Sequence, residues 1–251
     1  MRSVVIIPAR YQSSRFPGKP LTLLLGKPMV LWVAEIAAKA VGQGNVFIAT
    51  EDERIAKVVT KNGFQIVMTS SEALTGTDRV AEAAEKIKAD IYVNLQGDEP
   101  VVDYQDIQQI IDKKISNMEK IICGCCLISK NENPESVNIP KIITNEGNKL
   151  VYASRRAIPG YKDAKNAQAF YQKQVCIYAF TKQELLDFRG FGRKSKLEFM
   201  EDIEILRFLE LNRDVLMVET KGQSLAVDVP EDIKPVEEAL KNIHGYLTQK
   251  I

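Results

Sequence analysis

Arg10, Arg15 and Lys19 put three positive charges into one short stretch, "PARYQSSRFPGKP", which runs from Pro8 to Pro20 directly after the apolar run Val4 to Ile7. Solvent alone accounts for charges on a loop. It does not account for Pro8, Pro17, Pro20 and Gly18, which fix the loop's shape. Guanidinium and ammonium groups held on a stiff loop, with Ser13 and Ser14 as donors, suit an anion as dense as a triphosphate or a departing pyrophosphate. Two carboxylates complement the loop. Asp98 stands in "QGDEP", straight after the apolar run ending at Leu95, and Asp228 stands in "LAVDVPED", after another apolar run. Each aspartate alone is also an ordinary turn or cap residue. Together, facing a phosphate-binding loop, they suit a Mg²⁺ ion, which takes one or two protein carboxylates and completes its shell from phosphate oxygens and water. A third segment, "TGTDR" (Thr75 to Arg79), offers close backbone approach at Gly76 and a helix cap at Thr77 or Asp78.

These groups need a frame that brings strand ends together. The first part of the chain alternates: "VVIIPA", "NVFIAT", "QIVMT" and "DIYVNLQ" read as strands, and "KPMVLWVAEIAAKAV", "EDERIAKVVTKNG" and "TDRVAEAAEKIKA" read as helices between them. Apolar strands alternating with helices predict an α/β fold with a mostly parallel central sheet covered on both faces. In such sheets ligands bind at the carboxyl ends of the strands, so the basic loop, "TEDE", "TGTDR" and "QGDEP" are expected to converge on one crevice. Beyond about residue 120 the strand-like pieces "IICGCCLIS", "KLVYAS" and "QVCIYAF" follow one another without full helices. They predict a smaller antiparallel lobe. A helix over "KLEFMEDIEILRFLELN", a strand "VLMVET" and a last helix from "VPEDIKPVEEAL" return the chain to the core. The expected organisation is one domain over 1–251: a nucleotide-binding half to about 120, an acceptor-binding lobe over about 121–220, and a return segment that carries Asp228.

Composition narrows the classes further. The 251 residues carry 34 Lys and Arg against 33 Asp and Glu, a formal net charge of +1, so any basic site is local and nucleic acid is not an expected partner. No apolar run is long enough to span a bilayer and no signal-like segment opens the chain, so cytoplasm is the expected compartment. Cys123, Cys125 and Cys126 lie in an alternating strand, where neighbours point to opposite faces, and they read as small buried hydrophobes. The only histidine is His244, near the end, so catalysis cannot rest on a histidine–nucleophile pair in the body of the chain. The loop lacks both the dinucleotide fingerprint and the P-loop signature.

The segments "IIPARYQSSRFPGKPL", "GKPM", "TGTDR", "VNLQGDEP" and "AVDVPEDI" occur in that order over nearly the whole chain. In them the sequence resembles the CMP-KDO synthetase family, the 3-deoxy-manno-octulosonate cytidylyltransferases. The resemblance implies a nucleotide-diphospho-sugar transferase-like fold and transfer of CMP from CTP to the anomeric hydroxyl of a keto-sugar acid, with release of pyrophosphate. It also implies Mg²⁺ as cofactor, a homodimer, and a place in lipopolysaccharide or capsule synthesis. By resemblance, Pro8, Ala9, Arg10, Ser13 and Lys19 handle the nucleotide and its phosphates, and Thr77 and Arg79 help hold it. Asp98 and Asp228 match metal-binding aspartates, and Gln96 and Glu99 flank the metal near the sugar. Arg155 in "YASRRAIP" is expected to hold the acceptor carboxylate. Gln174, Tyr178 and Glu204 line the acceptor side.

The departures from the family pattern are confined to that acceptor side. A family histidine appears as Gln174, a glycine as Cys176, a glutamine as Ile205 and a tryptophan as Gly160. Lost polar contacts remove discrimination for particular hydroxyls, so the acceptor is expected to be KDO or a relative of it, with a nonulosonic acid or a phosphonate as alternatives. A metal-dependent glycosyltransferase and a non-catalytic CTP sensor are the rival classes. Pyrophosphate release separates both from a cytidylyltransferase. Lys19 is expected to be an exposed anion-binding side chain that contributes little to folding.

Overall fold

The computed structural model describes residues 1–12, 16–130, 132–167, 170–221 and 225–243. In chain order the elements are β1 (Ser3–Pro8), β2 (Leu23–Leu24), β3 (Lys27–Pro28), α1 (Met29–Val41), β4 (Val46–Thr50), α2 (Glu53–Lys61), β5 (Gln65–Met68), α3 (Gly76–Lys86), β6 (Ile91–Leu95) and α4 (Tyr104–Ile115). Then follow β7 (Ile121–Leu127), β8 (Lys141–Thr144), β9 (Leu150–Ser154), β10 (Gln172–Phe180), α5 (Lys182–Gly190), α6 (Lys196–Glu201), α7 (Leu206–Glu210), β11 (Val215–Glu219) and α8 (Ile233–Ile243).

The central sheet runs β11-β7-β10-β6-β1-β4-β5. β1 pairs in parallel with both β4 and β6, β4 pairs in parallel with β5, and β11 with β7. β10 is the reversed strand, antiparallel to β6 and β7. β8 and β9 form an antiparallel extension hung from β10. Alternation within β1 sorts the two faces: Val4 and Ile6 pack with α3, Phe188 and Phe208, whereas Val5 and Ile7 pack with α1 and α4. A third apolar group, with Leu24, Trp32, Val101, Val227 and Leu240, docks α8 against β2 and the start of α1. Among the described residues no helix is long and apolar enough to cross a membrane.

The expected alternation up to β6 is present, and the α/β class with it. The expected boundary near residue 120 runs through a continuous sheet, because β7 and β10 lie inside it next to β6. β8 and β9 join this sheet only through β10, off its main strand order. Five elements were not read from the sequence: β2, β3, α4, β8 and α5. β2, β3 and β8 are too short to show a period, whereas α4 buries Ile107, Ile110 and Ile111 at a helical spacing that was legible and overlooked. The segment expected to be one helix, "KLEFMEDIEILRFLELN", is two, broken where Asp202 takes a left-handed conformation with φ 50°. In a continuous helix Glu198 and Arg207, nine positions apart, would point to opposite sides. The break folds α7 back so that the Arg207 guanidinium meets the Glu198 carboxylate at 2.6 Å.

Candidate active site

The carboxyl ends of β1 and β6 and the start of α3 open into one cleft of about 810 Å³, walled on its far side by the β8–β9 extension and the α6–α7 segment; no residue of "TEDE" lines it. Pro8, Ala9, Arg10, Lys19, Arg79, Gln96, Asp98 and Glu99 line the side expected to take the nucleotide, and Arg155, Gln174, Tyr178, Glu204 and Asp228 also reach the cleft. Ser13, with Ser14 and Arg15, lies outside the described residues.

The basic loop leaves β1 with one more ladder bond, Ala9 N–H to Ala49 O at 2.8 Å, and then turns. Tyr11 N–H donates to Glu51 at 2.9 Å, and the Arg54 guanidinium stacks 3.3 Å over the Tyr11 ring. Gly18, at φ 72°, closes the loop by donating to Tyr11 O at 2.8 Å and starts a short 3-10 turn, Lys19–Leu21. That turn aims the Lys19 ammonium at Asp98 Oδ2 (2.7 Å), Val227 O (2.9 Å) and Asp228 Oδ1 (3.6 Å). Lys19 is therefore not the exposed side chain expected from sequence, since it is 18% accessible and engaged.

Asp98 and Asp228 are separated by most of the chain and meet for two reasons. Val227 N–H donates to Asp98 O at 3.0 Å, which fastens the return segment to "QGDEP". Gly97 lets that turn lie against the end of β1, where any Cβ would stand 2.9 Å from Pro8 O. The donor set fits a hard cation: two carboxylates and a nearby carbonyl, with no third His, Cys, Asp or Glu completing a cage among the described residues. A site of that kind leaves the remaining positions to phosphate oxygens and water, as Mg²⁺ requires.

"TGTDR" forms the start of α3. Thr75 is the N-cap, accepting from Asp78 N–H at 3.1 Å and donating to Asp78 Oδ2 at 2.8 Å. Glu204 accepts from Gly76 N–H (3.0 Å) and Thr77 N–H (2.8 Å), so a carboxylate from the far wall occupies the positive end of this helix. Burial raises the Glu204 pKa, and the bonds from Thr77 and Gly76 oppose the rise. Thr77 is buried, with its hydroxyl accepting from Asn94 at 3.1 Å, and the structure does not put it on the cleft surface. Arg79 is buried as well, ion-paired with Glu51 at 2.8 Å and donating to Thr69. Thr77 braces this side of the cleft from behind, and Arg79, though almost wholly buried, reaches the cleft wall. Arg207 completes the brace: it pairs with Asp78 (2.8 and 3.0 Å) and Glu198 (2.6 Å twice), and its guanidinium stacks 3.7 Å over Phe188.

On the acceptor side Gln174 donates its amide to the Tyr178 hydroxyl at 2.8 Å. Burial keeps the Tyr178 phenol and the Cys176 thiol protonated far above neutral pH, so both are hydrogen-bonding groups and not bases. Arg155 differs from expectation. Four of its five N–H groups donate to backbone carbonyls, those of Glu201 (2.9 Å), Val137 (3.1 Å), Asn138 (3.2 Å) and Asp202 (2.8 Å). A bidentate grip on an acceptor carboxylate is therefore not formed here; Arg155 is a strut joining β9 to α6. Glu201, which the sequence reading missed, anchors that strut by accepting from Ser154 Oγ and Arg155 N–H, each at 2.8 Å. Glu51 and Arg207 were missed too. Only the position of Glu51, just after a strand end in "TEDE", carried a signal.

Comparison with known proteins agrees with this geometry. Residues 4–219 match the family model described as Cytidylyltransferase. The 8-amino-3,8-dideoxy-manno-octulosonate cytidylyltransferase of Shewanella baltica (strain OS185) is 36% identical over 246 residues, covering 96% of this chain and 99% of that protein. A solved CMP:2-keto-3-deoxy-manno-octonic acid synthetase complexed with CTP superposes with a TM-score of 0.87 at 33% identity, covering 97% of this chain and all of that one. A cytidylyltransferase from Leptospira borgpetersenii serovar Hardjo-bovis (strain JB197), at 18% identity and TM-score 0.65, shares the fold. A stiff basic loop and two remote aspartates drawn to one point at the strand ends, in a chain matched from end to end, place this protein in the cytidylyltransferase family.

Proposed function

We propose that this enzyme transfers CMP from CTP to the anomeric hydroxyl of a 3-deoxy-manno-octulosonate-type acid, with the 8-amino-3,8-dideoxy form preferred over KDO, and releases pyrophosphate. The observation that carries the reaction type is the meeting of Asp98, Asp228 and Lys19 at the mouth of the phosphate-binding loop. The relatives support the acceptor class, because one is named for the 8-amino acid and one for the octonic acid, and both match almost the full chain. Gln174 supports the order of preference. Its amide nitrogen donates to the Tyr178 hydroxyl at 2.8 Å and to the Cys123 sulfur at 3.8 Å, so its remaining hydrogen-bonding group is an acceptor oxygen, which suits an ammonium donor.

The chemistry asks for position and charge compensation more than for proton transfer. Arg10 and Lys19 take the phosphate oxygens of CTP and stabilise the pyrophosphate as it leaves. Asp98 and Asp228 would hold Mg²⁺, which would supply polarisation of the attacking hydroxyl and charge neutralisation at the α-phosphate. Gln96, Glu99 and Tyr178 orient the sugar so that its anomeric oxygen lies in line with the departing group. The protein works in the cytoplasm, where CTP is available, as a homodimer that covers Phe199 and Met200, consecutive apolar residues that are 75% and 72% exposed. Pyrophosphate release from CTP and Mg²⁺, measured across KDO, its 8-amino form, a nonulosonic acid and a phosphonate, tests the reading. The 8-amino acid should give the highest kcat/KM, and activity confined to the last two acids would overturn it.

A further inference from the structure

The position of Lys19 raises a question that phosphate binding does not answer. Its ammonium stands between the two aspartates, 2.7 Å from one and 3.6 Å from the other, and donates to Val227 O at 2.9 Å. Asp98 and Asp228 are only 25% and 23% exposed. Two carboxylates held together in a half-buried pocket repel, and the repulsion grows as water is excluded. A tethered cation between them removes that penalty. Its ligands are also the ones a divalent ion takes: carboxylate oxygens and a backbone carbonyl.

We propose that Lys19 is the built-in counter-cation of the nucleotide-free enzyme. It holds the two metal-binding carboxylates in register and gives up its place only when metal arrives with nucleotide, whose phosphates then receive the displaced ammonium. This rests on the reading of Asp98 and Asp228 as the metal carboxylates. Lys19 so acts as a positioning residue before it acts as a phosphate ligand. The exchange keeps charge balanced: the carboxylates trade one positive charge for two, and the ammonium moves to a polyanion. A bare divalent ion has no such compensation. It must expel the ammonium into an empty cleft, so the nucleotide-free enzyme binds it weakly.

Mn²⁺ alone is the probe, with binding to nucleotide-free enzyme read from the loss of its free-ion electron paramagnetic resonance signal. Lys19→Met should bind Mn²⁺ about tenfold or more tightly than the unmodified enzyme, because a competing charge a few ångströms away is gone. The melting midpoint of metal-free Lys19→Met should fall and be restored by Mn²⁺, whereas the unmodified enzyme should show no Mn²⁺ shift. Lys19→Gln serves in the same role if the Met variant does not fold, and Lys19→Arg, which keeps the charge, should stay as weak a Mn²⁺ binder as the unmodified enzyme. Adding Asp98→Asn to Lys19→Met should abolish the gain. If the unmodified enzyme already binds Mn²⁺ as tightly as Lys19→Met, and Asp98→Asn removes that binding, the exchange is overturned while the metal assignment stands. A gain that survives Asp98→Asn overturns the metal assignment itself.

Discussion

Asp98 and Asp228, proposed above as the metal carboxylates, show how little separates a turn residue from a candidate metal ligand. Each follows an apolar run, and each could cap or turn the chain. What changes their role is the bond from Val227 N–H to Asp98 O, which brings them to one ammonium. Asp98→Asn removes a charged ligand and leaves an isostere, so turnover should fall about a hundredfold or more with the melting midpoint nearly kept. Steady-state kinetics beside a thermal melt checks both halves, and near-normal turnover at limiting Mg²⁺ would rule the assignment out. The cysteines make an opposite case. Burial pushes Cys125 up to about 12 and Cys126 to about 11, and raises Cys123 and Cys176 well above the usual thiol range. A thiol is neutral below its pKa, so at about pH 8 almost no thiolate is present. Ellman's reagent should react with native enzyme only slowly and titrate all four thiols after denaturation. Fast reaction of Cys123, Cys125 or Cys126 in the native state would contradict their burial.

At the scale of elements, two contacts decide whether the strand-end loops converge. One is the approach of the "QGDEP" turn to β1. A Cβ at Gly97 would stand 2.9 Å from Pro8 O, and both partners are backbone, so nothing can swing aside. Gly97→Ala should cost about 1–3 kcal/mol and displace Asp98. The expected readout is a lower kcat at saturating CTP with a modest loss in urea denaturation. The other contact is the clamp on α3. Arg207 is fully buried between Asp78 and Glu198, and Glu204 grips the first two amides of the helix. Arg207→Met strands two buried carboxylates, a change that costs about 3–5 kcal/mol. Because Asp78 belongs to "TGTDR", the KM for CTP should rise as stability falls. Stability lost with an unchanged KM would show that the clamp is structural only.

The whole molecule joins its two functional sides through one sheet. β10 lies between β6, which leads to Asp98, and β7, and it carries Gln174 and Tyr178. The α6–α7 segment that walls the acceptor side also holds the nucleotide side through Glu204 and Arg207. A chain built this way should unfold as one unit. Differential scanning calorimetry should give a single transition with matching calorimetric and van't Hoff enthalpies, and CTP with Mg²⁺ should raise its midpoint without splitting it. Two separable transitions would mean that the acceptor segment folds on its own.

Much of this was legible in the residues. Strand and helix periods are local, so the alternation from β1 to β6 and the placing of the basic loop, "TGTDR" and "QGDEP" at strand ends could be read directly. The ordered motifs pointed to the family. What the sequence could not show is which distant groups meet. Asp tolerates a left-handed conformation, but nothing local requires one at Asp202; it is stabilised because it lets Arg207 reach Glu198, nine positions away, and Asp78, 129 positions away. Arg155 reads as a carboxylate ligand by its resemblance to a family arginine, yet the carbonyls of Val137, Asn138, Glu201 and Asp202 claim most of its donors. Lys19 reads as an exposed loop charge, and only the closure of α8 and Val227 onto "QGDEP" sets it between two aspartates. Residue type and local period are written along the chain. The choice among partners is made by packing, which compares groups the sequence keeps far apart.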